Sequence, residues 1–444
     1  MHTAIGKISG GECKNMKLNY KRTILVGFAF FLISAFWQAY DAIVPLILTN
    51  LYKMPQDVSG FIMSLDNILA VFMLPIFGSL SDKLVSDIGR RKPFVLFGTL
   101  NAIICFIALG VMNSSVYLVS FVIVLLMTLI FMATFRSPAV ALMPDVTIKP
   151  LRSKGNAIIN LMGTAGGIII LVFGMIFKTG TPGKTYFLPY ILAVCAVMFI
   201  GLVIFMFTVK ENKWAKEMEQ DSIKYGIDES ANGKNEGDRN LSKPELKSLL
   251  LILASVALWY IGYNAVTSKY SVYATNILGF DYNLTLIIAQ AAAVVAYIPV
   301  GIIASKIGRK KSILSGIVML TTAFICGSFL AKIGIEALAY PIFALAGIGW
   351  ATINVNSFPM VVELAKGGNV GKYTGYYYTA SMSAQIVTPI LSGFLIERVF
   401  GWDVFFPYAA IFAGLSFVTM FFVKHGDAKA EKVDALESLG GADD

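Results

Sequence analysis

Gly78-Ser79-Leu80-Ser81-Asp82, followed shortly by Gly89-Arg90-Arg91-Lys92-Pro93-Phe94, is the stretch on which the fold turns. It joins two apolar runs through a short loop dense in positive charge. A second loop, Gly308-Arg309-Lys310-Lys311, repeats its core about 220 residues later. Other pairs keep nearly the same spacing. Tyr40-Asp41-Ala42 is echoed by Tyr263-Asn264-Ala265. Ser137-Pro138, with Arg152 and Gly155 beyond, is echoed by Ser357 and Pro359, with Lys372 and Gly375 beyond. A chain that repeats itself at half its length is built from two copies of one unit.

Each unit reads as a set of membrane spans. Of 444 residues, 57% are hydrophobic and 14% charged, more apolar surface than a water-soluble domain can bury. Apolar runs of about 20 residues are the length that crosses a hydrocarbon layer roughly 30 Å thick. Twelve are expected, at about 22–50, 58–80, 94–112, 117–142, 156–177, 186–209, 248–278, 283–303, 312–330, 337–362, 374–396 and 404–423. The first contains Gln38 and Asp41 and is too long for a cleaved leader. Residues 210–247, rich in Lys, Glu, Asp, Asn and Gly, read as a solvated linker that divides the spans six and six. The expected domains are therefore a tail (1–21), a six-helix bundle (22–209), the linker (210–247), a second six-helix bundle (248–424) and a tail (425–444). The expected fold is an all-α membrane protein with twelve transmembrane helices in two pseudo-symmetric bundles. Parallel repeats of this kind are a transporter architecture, with the site between the halves near the bilayer midplane.

Charge distribution orients the chain. The net charge of +9 would suit nucleic acid, but its placement does not. Loops on one side hold Lys83, Arg90, Arg91, Lys92, Lys149, Arg152, Lys154, Lys306, Arg309, Lys310, Lys311, Lys366 and Lys372; loops on the other hold only Lys53, Lys178, Lys184, Lys332 and Arg398. Thirteen against five is the positive-inside bias. It predicts cytoplasmic tails and linker in a bacterial-type inner membrane and excludes a nucleic-acid partner. Of the four cysteines, Cys13 lies in the tail and Cys105, Cys195 and Cys326 in separate spans, with no disulfide or metal-ligand spacing. Gly183-Lys184-Thr185 ends like a phosphate loop, but Lys178 stands where its first glycine belongs and no strand precedes it. No nucleophile–base pair or cofactor motif stands out. A monomeric, gradient-driven transporter that is not an enzyme and needs no cofactor or metal is expected.

The loop from Gly78 to Asp82 and on to Phe94 resembles the signature between spans two and three of major facilitator transporters. Its Gly-Arg-Arg-Lys-Pro-Phe ending, with Ser137-Pro138 through Pro144-Asp145 to Arg152, is similar to the sucrose-transporter-like branch near the glycoside–pentoside–hexuronide:cation symporters. The resemblance covers about residues 20–425 and implies uptake of a sugar with a cation, usually a proton. One departure is clear: melibiose-type members carry an acidic cation-site residue in span four, where this chain has Arg136.

Ionisable residues inside spans are costly and mark pathways. Here they are Asp41, Asp66, Arg136 and Lys269. At 1.5 Å per residue, Asp41, Asp66 and Lys269 fall in the outer half and Arg136 nearer the cytoplasm. In the repeat, Asp41 corresponds to Asn264, Asp66 to Gln290 and Arg136 to Asn356. An amide hydrogen-bonds a sugar hydroxyl but holds no proton at neutral pH. Coupling is therefore expected in the first half and neutral sugar contacts in the second. The only histidines, His2 and His425, lie in the tails, so a carboxylate must carry a proton: Asp41 first, Asp66 second, unless either is a structural partner of Lys269. Sugars need stacking faces and amides, which nominates Trp37, Gln38, Tyr40, Arg136, Asn160, Tyr263, Asn264, Gln290, Asn354 and Asn356. The loop charges Asp82, Arg90, Arg91, Asp145, Arg152 and Arg309 are expected to gate. A facilitative sugar uniporter and a proton-coupled drug or metabolite exporter of the same fold are the alternatives.

Overall fold

A computed structural model describes residues 17–112, 115–225, 241–364 and 370–426. Expectations for His2, Cys13, Lys366, the middle of the linker and the tail beyond 426 fall outside them. The first bundle contains α1 (Tyr20–Leu46), α2 (Gln56–Lys83), α3 (Lys92–Val111), α4 (Leu118–Val146), α5 (Arg152–Ile176) and α6 (Leu188–Thr208). A short helix, α7 (Glu211–Lys224), follows it. The second bundle contains α8 (Lys243–Val272), α9 (Tyr282–Ile307), α10 (Arg309–Gly327), α11 (Ala339–Val362), α12 (Val370–Phe394) and α13 (Phe405–Phe421). The architecture is the twelve-helix, two-bundle one expected. The last two helices follow so closely that 372–421 forms one apolar stretch, giving eleven separable stretches among the described residues.

Local chemistry sets the helix ends. The Ser242 backbone N–H donates to the Glu245 carboxylate at 2.9 Å, closing a capping box that starts α8. The Asp281 side chain accepts from the Asn283 N–H at 2.9 Å and starts α9. α1 and α8 both end in a π-helical turn, Ile47–Leu51 and Tyr273–Leu278.

The repeated basic loops are anchors with one construction. Arg91 pairs with Asp145 (2.8 Å) and Asp82 (2.5 Å). Lys92 donates to the carbonyls of Met206 (2.8 Å) and Val209 (2.7 Å), capping the end of α6. In the second half Arg309 pairs with Glu363, and Lys310 caps the end of α13 through Phe421 (2.8 Å) and Val423 (2.6 Å). By contact, then, Arg91 matches Arg309 and Lys92 matches Lys310, one position off the match of the letters. Gly89, like Gly308 (φ +93°), opens its basic loop at positive φ. Its φ of +120° suits glycine, and a Cβ there would sit 2.1 Å from the Glu211 carboxylate.

That carboxylate belongs to α7, which the linker's composition did not suggest. Glu211 is buried and accepts from the backbone N–H of Arg90 (2.8 Å), Arg91 (2.9 Å) and Lys92 (3.0 Å), the start of α3. A carboxylate at a helix N-terminus meets both unpaired donors and the favourable end of the dipole. Arg22 of α1 completes the clasp, lying over the Trp214 ring at 5.1 Å and pairing with Glu217 at 3.3 Å.

The bundles meet along α1–α8, α2–α12 and α5–α9, a pseudo-two-fold arrangement. Polar ties cluster on the face opposite the basic loops. Asn276 donates to Asn50 at 2.7 Å, from one π-helical turn to the other. The Lys269 ammonium donates to the Gln56 carbonyl at 3.0 Å, and Glu397 accepts from the Gln56 N–H at 2.8 Å. Arg398 pairs with Asp57 at 2.9 Å, and Tyr282 donates to Thr179 at 2.7 Å. Backbones also touch there: a Cβ on Gly60 would lie 2.0 Å from the Pro389 carbonyl oxygen, and one on Gly393 2.2 Å from that of Gln56. Toward the basic face the same helices diverge. A Cβ on Gly375 of α12 meets nothing within 4 Å, and Asp82 at the end of α2 is 58% exposed. The halves are closed on one face and separated toward the other.

Candidate functional site

A cavity of about 550 Å³ lies between the bundles. α1 lines it with a single stripe at helical spacing: Phe30, Ile33 and Ser34, Trp37 and Gln38, then Asp41. α4 adds Arg136 and Val140, and α5 adds Asn160, Gly163, Thr164 and Gly167. α8 supplies the facing stripe, Tyr263, Asn264, Thr267, Tyr270 and Ser271. α9 adds Gln290 and Tyr297, and α11 adds Trp350.

Gln290 Nε2 donates to Gln38 Oε1 at 2.5 Å and bridges the halves in the middle of the wall. The Arg136 guanidinium lies 5.8 Å from the Trp37 ring. Across the cavity, Tyr263 and Trp350 stack with centroids 5.8 Å apart and planes at 23°, and Tyr297 meets Trp350 edge-on at 6.5 Å. Tyr263 faces Asp41 closely enough to interact with its charge. Asp66 does not line the cavity. It sits behind, accepting from the backbone N–H (2.6 Å) and Nδ2 (2.7 Å) of Asn67, within electrostatic reach of both Asp41 and Arg136.

Several polar atoms in this wall have no hydrogen-bond partner among the described residues: both amide atoms of Asn160, Nδ2 of Asn264, Nε1 of Trp37 and Oγ of Ser271. A buried polar group left unpaired costs about 1–3 kcal/mol. The wall therefore favours a solute that is itself rich in donors and acceptors.

The structure brings Trp37, Gln38, Asp41, Arg136, Asn160, Tyr263, Asn264 and Gln290 to one cavity. It places three other nominated residues elsewhere. Tyr40 is fully buried inside the first bundle, stacked on Phe36 at 6.0 Å. Asn354 is buried outside the wall, and Asn356 donates to the Thr352 carbonyl of its own helix at 2.9 Å. Lys269 joins the closed face and is no partner of Asp41 or Asp66. The loop charges Asp82, Arg90, Arg91 and Asp145 bind one another within the first half. Arg90 meets Asp145 at 2.6 Å, and Arg152 caps the end of α4 on the carbonyls of Thr147 (3.1 Å) and Pro144 (3.0 Å). The ties between halves that involve charged side chains, Lys269–Gln56–Glu397 and Asp57–Arg398, were missed by sequence reasoning. So were Trp350, Tyr297 and Glu363. Glu363 stands 218 positions after Asp145, and the repeat could have found it.

The family model described as Major Facilitator Superfamily matches residues 26–389 and, again, 292–439. The chain belongs to this superfamily. Among relatives, an MFS-type transporter of Methanocaldococcus jannaschii, MJ1317, itself uncharacterized, is 25% identical over 423 residues, covering 91% of this chain and 95% of that one. An uncharacterized Bacillus subtilis protein, YqgE, is 27% identical over 195 residues, covering 41% of this chain and 44% of that one. Among solved structures, the inward-open xylose transporter XylE from E. coli superposes with a TM-score of 0.69 at 12% identity, covering 95% of this chain and 99% of that one. The nucleoside transporter NupG superposes with a TM-score of 0.60 at 17% identity, covering 90% and 98%. This major facilitator protein is thus a multi-pass membrane transporter by family and fold, with its candidate solute site where the two halves face each other.

Proposed function

We propose that this transporter imports a sugar or glycoside together with a proton, by alternating access, across a cytoplasmic membrane whose inner side carries the basic loops. The observation that carries the reading is the division of labour in the cavity wall. The first half contributes Asp41 and Arg136 with Asp66 behind them; the second contributes Asn264, Gln290 and the Tyr263–Trp350 stack. A pyranose has C–H faces that stack on aromatic rings and a hydroxyl rim that amides and carboxylates satisfy.

Asp41 is the group assigned to the proton. It faces the solute, and no histidine lies in any span. An ionised carboxylate resists being sealed in a dry site, so a closed cavity forms more readily once it is protonated. Protonation and sugar binding from outside then permit the halves to rock. Toward the basic face the cavity reopens, sugar leaves, and the proton follows. Asp66 and Arg136 oppose each other's charge in both states and keep the region behind Asp41 near neutral. One elementary charge is worth about 2.3 kcal/mol per 100 mV, and each tenfold gradient costs roughly 1.4 kcal/mol. A potential of about 150 mV therefore sustains a few-hundred-fold accumulation.

The test is radiolabelled sugar uptake into proteoliposomes under an imposed pH gradient, and separately under a sodium gradient. Uptake above the equilibrium level with the pH gradient alone is expected. Equal uptake with and without either gradient would leave a uniporter. Efflux of a hydrophobic cation with no effect of sugars would replace the reading with an exporter.

A further inference from the structure

Four charges gather where α2 meets the second bundle on the closed face, and they are divided unequally. Lys269, Glu397 and Arg398 belong to the second half and only Asp57 to the first. Arg398 and Asp57 form the pair that crosses. Lys269 and Glu397 instead hold one residue of the first half between them. Gln56, which opens α2, accepts at its carbonyl from the Lys269 ammonium at 3.0 Å, and its N–H donates to the Glu397 carboxylate at 2.8 Å. The Gln56 side chain is fixed in turn on the Thr49 hydroxyl at 3.2 Å. Backbone nitrogen and carbonyl oxygen of one residue are only about 3.5 Å apart, so the two charges stand within roughly 9 Å of each other. They sit on one half, with neutral backbone of the other half wedged between them.

This arrangement under-serves Lys269. Its ammonium has three donors and is 2% exposed, and the Gln56 carbonyl is its hydrogen-bond acceptor among the described residues. A buried charge held only by a neutral dipole is worse off than one held by a carboxylate. When the face opens, Gln56 and Asp57 leave together with the first half. Arg398, already 56% exposed, passes into water. Glu397 and Arg398 are neighbours on one helical turn and do not face each other. The Glu397 carboxylate is therefore the partner left to Lys269 on its own half. We propose that Lys269 and Glu397 exchange partners in the transport cycle: each clamps the Gln56 backbone while the face is closed, and they pair with each other when it opens. The exchange offsets part of the cost of releasing the clamp and keeps the two states close in free energy, as alternating access requires. It holds whatever the solute is.

The test is labelling of Thr164→Cys, a cavity-lining position on α5, by a membrane-impermeant maleimide applied from the side opposite the basic loops, in a background whose native cysteines are replaced. From that side the reagent reaches the cavity only when the face is open, so the labelling rate follows the open population. Lys269→Glu combined with Glu397→Lys sets each charge against the wrong backbone group of Gln56, yet the two can still pair in the open state. This swap should label at least tenfold faster than the parent. Either reversal alone loses the clamp and also sets like charges together in the open state. The swap should therefore exceed the product of the two single effects by at least threefold, whereas independent ties multiply to within about twofold. A swap that labels no faster than the parent refutes the clamp. An excess below threefold refutes the exchange. Where the reversed chains fail to reach the membrane, Lys269→Met and Glu397→Gln, alone and together, are judged by the same threefold criterion, with the same consequence.

Discussion

Replacing Gly60 by alanine should push the protein out of the conformation described. The added Cβ would sit 2.0 Å from the Pro389 carbonyl oxygen, where close C···O contacts run at about 3.3 Å. α2 and α12 must therefore separate by roughly 1.3 Å at that point, or the face must open. Overpacking of this kind costs about 1–3 kcal/mol. The cost falls on the state closed at this face and is absent from the state in which these helix ends part. It therefore shifts the ratio of states by about 5–150-fold. The assay is a spin-label distance measurement between Thr181→Cys and Ala337→Cys, one on each half of the closed face, in a background with Cys13, Cys105, Cys195 and Cys326 replaced. The parent should give one short distance. Gly60→Ala should add or convert to a longer one, and Gly393→Ala, whose Cβ would lie 2.2 Å from the Gln56 carbonyl oxygen, should do the same. Gly375→Ala, with nothing within 4 Å, is the control and should leave the distribution unchanged. A Gly60→Ala distribution that superimposes on the parent refutes the claim that backbone contact between α2 and α12 holds this face shut.

Three further outcomes are expected. Asp41→Asn should abolish uphill sugar accumulation in proteoliposomes and spare sugar–sugar exchange, because the amide keeps the hydrogen-bonding role without the proton; retained accumulation removes Asp41 from coupling. Lys269→Met should lengthen the same spin-label distance by a smaller population shift, since it deletes the tie to the Gln56 carbonyl but keeps the Asp57–Arg398 pair; an unchanged distribution would make that tie incidental. Glu211→Gln should cost about 2 kcal/mol, as charge-assisted bonds to three backbone donors are weakened. That corresponds to a fall of roughly 4–8 °C in the Tm of a bundle of this size, and an unaltered Tm would show that α7 rests on the bundle without holding it.

The spans and the division into halves were legible because the bilayer leaves little choice. Each crossing needs a long apolar run, and each basic loop must stay on one side. The direction in which a given side chain faces was far less so. In a soluble helix apolar periodicity marks the buried face, but here nearly every position is apolar, and lipid and protein interior ask for the same residues. Tyr40 and Trp37 were thus indistinguishable as letters, although Trp37 lines the cavity and Tyr40 packs away from it. Trp350 was hidden for the same reason, since aromatic residues on spans are common wherever helices pack. Lys269 was recognised as costly, but its partner is a backbone carbonyl on another helix, which no side-chain pattern can announce. Glu211 lay in a segment whose composition is that of a solvated linker, and only its contact with the start of α3 reveals why the chain there is ordered.

The repeat explains why the cavity wall is asymmetric in a particular way. Two copies of one unit give equivalent backbones, so a difference in function must come from side chains at matched positions. Asp41 and Asn264 are such a pair, and both line the cavity. At the other two matched pairs only one member reaches the wall: Gln290 and not Asp66, Arg136 and not Asn356. The acidic member of the second pair is set back, where it opposes Arg136, and its amide counterpart is brought forward to bridge to Gln38. At these matched positions the wall therefore presents two amides, one guanidinium held against Trp37, and a single carboxylate. A lone carboxylate at the wall is the arrangement in which one proton changes the charge seen by the solute by one unit. Two acids side by side would share a proton, and the response of the wall to it would be blunted. On the proposed reading, moving the second acid forward by a Gln290→Glu substitution should therefore weaken coupling even though it adds a titratable group.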